Sequence, residues 1–168
     1  MNRQQIALRL ILDELGVNFS DKSFRDRLIL QKASYLAQAA GVNITYHFSW
    51  YLHGPYCSSL ASDAFSISDE LDGDSDESKG WQLDEKTTAK LERVRTLVDV
   101  CVTEDLAKRF ELLASVHFLV TKKSMPTTDV SELASMLKRL GKDFDESEVA
   151  SATEGLVRHG FIPGQLSQ

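Results

Sequence analysis

The segment YHFSWYLHGPYCSSLASD, residues 46–63, is the part of the sequence that most constrains the fold. From Ile44 to Trp50 large apolar residues alternate with polar ones, which is the two-residue period of a half-buried β-strand. Gly54 and Pro55 then predict a sharp turn, because proline fixes its own φ and disfavours helix in the residue before it. The segment therefore predicts a strand that ends at a Gly-Pro turn.

Two helices are predicted upstream of this strand. Apolar residues recur at helical spacing from residue 6 to residue 15, and Gly16 marks the end of that helix. Ser23 is a suitable N-cap for FRDRLILQKASYLAQAAG, which Gly41 closes. The second helix is apolar over much of its circumference, so we expect it to be central in the core.

Downstream of the turn, Ser58 or Ser59 is expected to cap a third helix. Trp81 and Leu83 form a short apolar element that is a candidate to pair with the strand. The order helix, helix, strand, turn, helix predicts a winged-helix-like module over residues 1–86.

Net charge is concentrated in one segment. Residues 69–86 contain eight acidic and two basic side chains, a net charge of −6 that equals the charge of the whole chain. Glycines and serines are interspersed among the acids, so this segment is predicted to be a solvated loop around residues 69–80 and not a helix.

Residues 87–168 are predicted to form a second, helical part of the chain, which either packs with the first module as one domain or is separate from it. A helix over 104–122 would be followed by one that starts at Thr127 or Thr128, and Asp145 with Glu148 predicts a capping box for the next. This order is typical of a helix-turn-helix unit. His117, on an apolar helix face, is expected to be a hydrogen-bonded core residue. The overall prediction is a mainly α protein with a small β-sheet.

Composition restricts the class of protein. No apolar run approaches the roughly 20 residues of a membrane-spanning helix, which favours a soluble cytoplasmic protein. Cys57 and Cys101 are isolated, without the spacing of a zinc site or a disulfide framework, so neither a cofactor nor a metal is expected. A hydrolase or metal site built on His53 and Cys57 is the enzymatic alternative.

Gln31 and Lys32 are unusual because they lie in the most apolar helix, where a lysine is costly unless its ammonium finds water or a partner. One interpretation is an exposed polar cluster of these residues with Tyr56 and Asp63 that contacts a partner. The other is structural: Lys32 pairs with Asp63 or with a carbonyl of the turn and holds the turn on the helix.

Residues 24–65, about a quarter of the chain, resemble the YwgA-like proteins of bacteria and archaea and, more distantly, the SocA/GepA-type (Panacea) antitoxin domain. The shared pattern is LQK, then Tyr-Leu, an aromatic strand and a Gly-Pro turn before a helix. Cys57 stands where the pattern more often has serine. The matching residues are Leu30, Gln31, Lys32, Tyr35, Leu36, Gln38, Tyr46, Phe48, Tyr51, Gly54, Pro55, Tyr56, Leu60 and Asp63.

The resemblance implies a mainly helical domain without a characterised catalytic activity, and in the antitoxin branch a domain that binds other proteins. We therefore expect a non-enzymatic protein-interaction module whose partner is a toxin or a component of a phage-defence system. Its partner-binding residues are predicted to be Gln31, Lys32, Tyr51, His53, Tyr56 and Asp63.

The alternative is a DNA-binding regulator that uses the helix-turn-helix. Neutralising phosphates requires clustered basic side chains, and the C-terminal part contains such a cluster. Against this alternative, the sequence pI is about 5.2. The candidate nucleic-acid residues are Lys122, Lys123, Lys138, Arg139 and Lys142.

Overall fold

A computed structural model describes residues 1–99, 105–127 and 129–164. Over these residues the chain forms seven α-helices and one two-stranded antiparallel sheet, which confirms a mainly α fold with a small sheet. The elements are, in order, α1 (Arg3–Glu14), α2 (Phe24–Ala39), β1 (Ser49–Tyr51), β2 (Gly54–Tyr56), α3 (Ser58–Asp72), α4 (Glu85–Asp99), α5 (Leu106–Lys122), α6 (Val130–Arg139) and α7 (Glu146–Arg158).

Most helix boundaries follow the predicted capping signals. The Ser23 side chain accepts a hydrogen bond from the Asp26 backbone at the start of α2, and Gly41 follows the helix with a φ of 92°. Asp145 and Glu148 form the predicted capping box of α7. The N-cap of α6 is Asp129, not Thr127, because the Asp129 carboxylate accepts from the Glu132 backbone; Thr128 lies outside the described residues.

The sheet is smaller than predicted. Its two strands are joined at Leu52–His53, so the turn lies just before Gly54 and Pro55, which belong to β2. Burial does alternate from residue 44 to residue 48, but the Gln38 side chain pairs with both the N–H and the C=O of Tyr46. Since a side chain satisfies these backbone groups, they form no strand ladder. Trp81 and Leu83, predicted to pair with this segment, lie in no strand.

Helix α3 continues into the acidic segment that was predicted to be a loop. It begins after Cys57, which occupies the N-cap position without a side-chain cap bond, and it continues to Asp72. The first acidic residues of 69–86 are therefore helical, and Glu85 already belongs to α4. The apolar residues that α3 buries, Leu60, Ala64 and Ile67, extend the helix into the acidic segment because tertiary packing outweighs local composition.

Helix α2 is at the centre of the molecule, as predicted. Every residue from 28 to 37 is buried, and α2 packs most extensively against α5, in which residues 112–120 are all buried. Helices α1 and α4 cover another side of α2, while α6 and α7 pack together with α5. Residues 1–86 and the later helices thus contribute to one hydrophobic core.

Candidate functional site

A groove with a cavity volume of about 380 Å³ lies where α2, the β1–β2 hairpin and α3 meet. The α2 side of this groove is formed by residues three or four positions apart, which share one face of a helix. We call it the α2–hairpin groove. It is lined by Asp21, Phe24, Arg27, Leu28, Leu30, Gln31, Lys32, Tyr51, Leu52, His53, Tyr56, Ala61, Ala64 and Phe65.

Exposed apolar side chains are concentrated around this groove. Within residues 1–99, 105–127 and 129–164, five large hydrophobic side chains are more than half exposed, and four of them line the groove. Those four are Phe24 (55% exposed), Tyr51 (58%), Leu52 (69%) and Phe65 (66%), whereas Trp81 lies elsewhere. Single exposed apolar residues are ordinary, but an apolar cluster around a concave surface is typical of a binding site.

Gln31 holds the end of the hairpin on α2. Its side-chain amide donates to the Cys57 carbonyl at 2.9 Å and accepts from the Cys57 N–H at 3.0 Å. Both backbone groups are buried, so this pairing removes the cost of two unsatisfied polar groups. Gln31 therefore fixes the end of the hairpin to α2 and also lines the groove.

Lys32 holds the second strand. Its Nζ donates to the Pro55 carbonyl at 2.6 Å, and the residue is only 2% exposed. Burial, together with the neighbouring charge of Lys142, lowers the pKa of Lys32 to about 8. The Glu111 carboxylate opposes this shift. Lys32 therefore bonds to a backbone carbonyl of the Gly-Pro segment, which belongs to β2, and holds that segment on α2 as the structural interpretation predicted; its predicted alternative partner Asp63 bonds instead to Gln5 and Tyr46.

A second buried lysine fixes the hairpin turn. The Lys142 ammonium donates to the Leu52 carbonyl at 2.8 Å and to Glu111 Oε1 at 2.6 Å, and its side chain is 3% exposed. The same carboxylate oxygen lies 3.8 Å from Nδ1 of His53. Lys142 was a nucleic-acid candidate, but these internal partners occupy its ammonium. It acts instead as a support for the groove.

The exposed candidates of the hairpin face the groove. The rings of Tyr51 and Tyr56 pack with centroids 5.5 Å apart. The half-exposed His53 ring meets Phe24 edge to face, with centroids 4.8 Å apart. Predicted residues Gln31, Lys32, Tyr51, His53 and Tyr56 are thus brought together in one groove.

Asp63 is the predicted partner-binding residue that does not line the groove. Its two carboxylate oxygens accept from Gln5 of α1 at 2.9 Å and from the Tyr46 hydroxyl at 2.8 Å. Burial and the adjacent carboxylate raise the pKa of Tyr46, so this phenol remains a donor. Asp63 therefore connects α1 and α3 to the segment before the hairpin.

His53 and Cys57, the residues of the enzymatic alternative, have separate surroundings. The buried Cys57 thiol lies 3.1 Å from the Ser59 hydroxyl, while the His53 ring contacts Phe24. No hydrogen bond joins the two side chains within the described residues. In the same part of the chain there is no group of three or more His, Cys, Asp or Glu residues arranged to hold a metal ion. Cys101 lies outside the described residues.

Four of the five nucleic-acid candidates are on the surface. Lys122 and Lys123 are exposed at the end of α5, and Lys138 and Arg139 are exposed at the end of α6. Helix α7 would be the last helix of the predicted helix-turn-helix, but its charged residues are three glutamates and one arginine, which is paired with Glu154. An acidic helix is unfavourable against a phosphate backbone.

Several residues that line or support the groove are not predicted from the sequence. Phe24 and Phe65 fit ordinary positions of predicted helices, Leu52 lies beside the predicted Gly-Pro turn, and Glu111 falls in the predicted 104–122 helix. A signal existed for Phe65, because Phe65 does not share the buried face of α3 that Leu60, Ala64 and Ile67 define. No comparable local signal marks Glu111, which reaches the hairpin from a helix about 60 positions later.

No protein-family model, curated protein sequence or solved structure that was compared with the chain matches it. The resemblance of residues 24–65 to YwgA-like proteins and the antitoxin domain therefore stays a prediction. No helix among the described residues combines the length and the apolar character needed to cross a bilayer.

Proposed function

We propose that this chain is a non-enzymatic, cytoplasmic protein-interaction module that binds another protein in the α2–hairpin groove. The observation that carries the proposal is the placement of four exposed apolar side chains, Phe24, Tyr51, Leu52 and Phe65, around one concave surface. Large apolar and aromatic residues in such a surface are the usual anchors of a protein interface.

The support beneath the groove favours binding over a purely structural role for the hairpin. Gln31, Lys32 and Lys142 each bond to the backbone of residues 52–57, so the hairpin is held before any partner arrives. A pre-organised surface loses less conformational entropy on binding. An antitoxin-like or phage-defence role, with a toxin or defence component as the partner, follows only from the family resemblance and is the finer part of this proposal.

The experiment is affinity capture from the native host with the tagged chain of residues 1–168, with and without nuclease treatment. We expect Phe65→Ser to lose a specific protein that the unmodified chain captures, because Phe65 is 66% exposed and borders the groove. Trp81→Ser is the matched control: Trp81 is 53% exposed, outside the groove, and its replacement should leave capture unchanged. Thermal unfolding of both variants verifies that the fold is retained.

The result that would contradict the proposal is equal capture by Phe65→Ser and the unmodified chain. A DNA-binding regulator remains the second candidate, favoured by the exposed Lys138 and Arg139 at the end of α6. In that case capture would depend on nucleic acid, nuclease would abolish it, and Lys138→Glu/Arg139→Glu would prevent duplex binding.

A further inference from the structure

The floor of the α2–hairpin groove contains a lysine whose hydrogen-bonding capacity is only partly used. An ammonium group carries three N–H donors. That of Lys32 donates to the Pro55 carbonyl, and the part of the chain that the structure describes provides no second acceptor within hydrogen-bonding distance. The side chain nevertheless lines the groove, although it is 98% buried. A buried cation with unused donors is suited to an incoming anion.

The charges around Lys32 are also unbalanced. Glu111 is the acidic group that acts on Lys32, and its carboxylate is already paired with the Lys142 ammonium at 2.6 Å. Two ammonium groups therefore share one carboxylate beneath the groove. At the rim, the Arg27 guanidinium donates to the backbone carbonyl of Asp21. Beneath the groove, the two ammonium groups and one carboxylate leave one positive charge, which a single further carboxylate would neutralise.

The apolar rim defines what must accompany this carboxylate. Phe24 on α2, Tyr51 and Leu52 on the hairpin, and Phe65 on α3 lie on different sides of the groove. A residue within a chain has neighbours on both sides that can contact such a rim, whereas a terminal residue has them on one side only. The geometry thus favours an acidic side chain inside an apolar segment over a C-terminal carboxylate.

We propose that the groove binds a segment of another protein in which one Asp or Glu side chain, flanked by apolar residues, forms an ion pair with Lys32. This inference rests on the proposed function and specifies the chemistry of the partner. The apolar residues contact the rim, and the carboxylate oxygens accept hydrogen bonds from the unused N–H groups of Lys32. Such a buried, charge-assisted contact gives specificity as well as affinity.

The test uses a display library of random 12-residue peptides fused through their C-termini to a coat protein, so that only side-chain carboxylates are presented. Peptides are selected on the full chain, and those that still bind Phe65→Ser are discarded. We expect one Asp or Glu position between apolar residues in the selected set. In a synthetic, C-terminally amidated peptide with Glu at that position, Glu→Gln should weaken binding at least tenfold.

A second readout follows Lys32 directly without altering it. In chain labelled with ¹³C at the lysine Cε, the Lys32 resonance should titrate with a pKa of about 8. The Glu peptide should move this pKa upward, because a carboxylate stabilises the ammonium, and the Gln peptide should not.

The outcomes separate this inference from the proposed function. Groove-dependent peptides without an enriched acidic position, or with equal affinity for the Glu and Gln forms, would overturn the carboxylate pairing and leave the groove as a binding site. Failure to select any peptide that depends on Phe65 would contradict both.

Discussion

Two buried ionisable side chains are stabilised in different ways. Lys32 retains a donor role towards the Pro55 carbonyl. His117 is held in the core by the Tyr35 hydroxyl, which lies 2.7 Å from Nδ1, so the prediction of a hydrogen-bonded core histidine is confirmed. Burial lowers the pKa of His117 to about 4, although a hydrogen bond with the Phe161 backbone opposes this effect.

The lowered pKa of His117 predicts an acid-sensitive core. Between pH 6.5 and about 4 the unfolded chain binds a proton at this residue and the folded chain does not, so stability falls as the pH falls through this window. The contribution approaches about 1.4 kcal/mol per pH unit. We expect His117→Gln, which cannot titrate, to have a shallower decline when the free energy of unfolding is measured by urea denaturation from pH 7 to pH 4.

The other titrating groups are common to both proteins, so the difference between the two curves isolates His117. Parallel curves for the unmodified chain and His117→Gln would show that the histidine is protonated in the folded core or does not contribute.

At the level of secondary-structure elements, the hairpin depends on close contact with α5. Gly54 has a φ of 85°, in the region that favours glycine, and a Cβ placed there would lie 2.6 Å from the Ser115 Oγ. In the described part of the chain this hydroxyl, which is buried, has no hydrogen-bond partner. Glycine at this position is therefore required by two effects, the backbone conformation and the approach of a helix.

Substitution separates these two effects. Gly54→Ala should destabilise the protein by more than the roughly 1–2 kcal/mol of left-handed strain, because the added methyl group also collides with Ser115. Gly16→Ala is the matched control, since Gly16 has a φ of 68° and nothing within 4 Å of an added Cβ. Gly54→Ala/Ser115→Ala should recover to about the loss of the control. Denaturant unfolding of the unmodified chain, Gly54→Ala, Ser115→Ala and the double variant measures the coupling, with Gly16→Ala measured alongside them.

If Ser115→Ala gave no recovery in the Gly54→Ala background, the steric contact between hairpin and α5 would not limit the position, and strain alone would explain the glycine.

For the whole molecule, the main feature is a core shared by residues 1–86 and the later helices. The central helix α2 packs most extensively against α5, and the Lys142 side chain, which follows α6, bonds to the hairpin turn of the first part. Much of the apolar surface of α2 is therefore buried only by helices that follow residue 86.

This shared core predicts that residues 1–86 do not fold alone. The full chain should unfold in one cooperative transition, whereas a fragment of residues 1–86 should lack a cooperative thermal transition followed by circular dichroism, because the α2 surface that packs on α5 would be exposed. As a control, the fragment is mixed with a fragment of residues 87–168. Recovery of a cooperative transition in the mixture would show that residues 1–86 are competent to fold and lack only the surface of the later helices. A cooperative transition of residues 1–86 alone would contradict the prediction.

Local sequence was sufficient for most of the helices, for the caps of α2 and α7 and for the central position of α2, because capping side chains and apolar periodicity act over a few residues. Ser23, Gly41 and the Asp145–Glu148 pair are where expected. It also brought attention to Gln31 and Lys32, whose polarity conflicts with their apolar helix.

The strand boundaries and the groove depended on contacts distant in the chain. The Gln38 side chain hydrogen-bonds to the N–H and C=O of Tyr46, so these groups are not available for pairing with another strand. Lys142 bonds to the hairpin turn from 90 positions away. Tertiary packing likewise decided that Lys142 is internal and that Asp63 binds α1. Hydrogen-bond partners of buried polar groups are selected by three-dimensional proximity, which local periodicity does not encode.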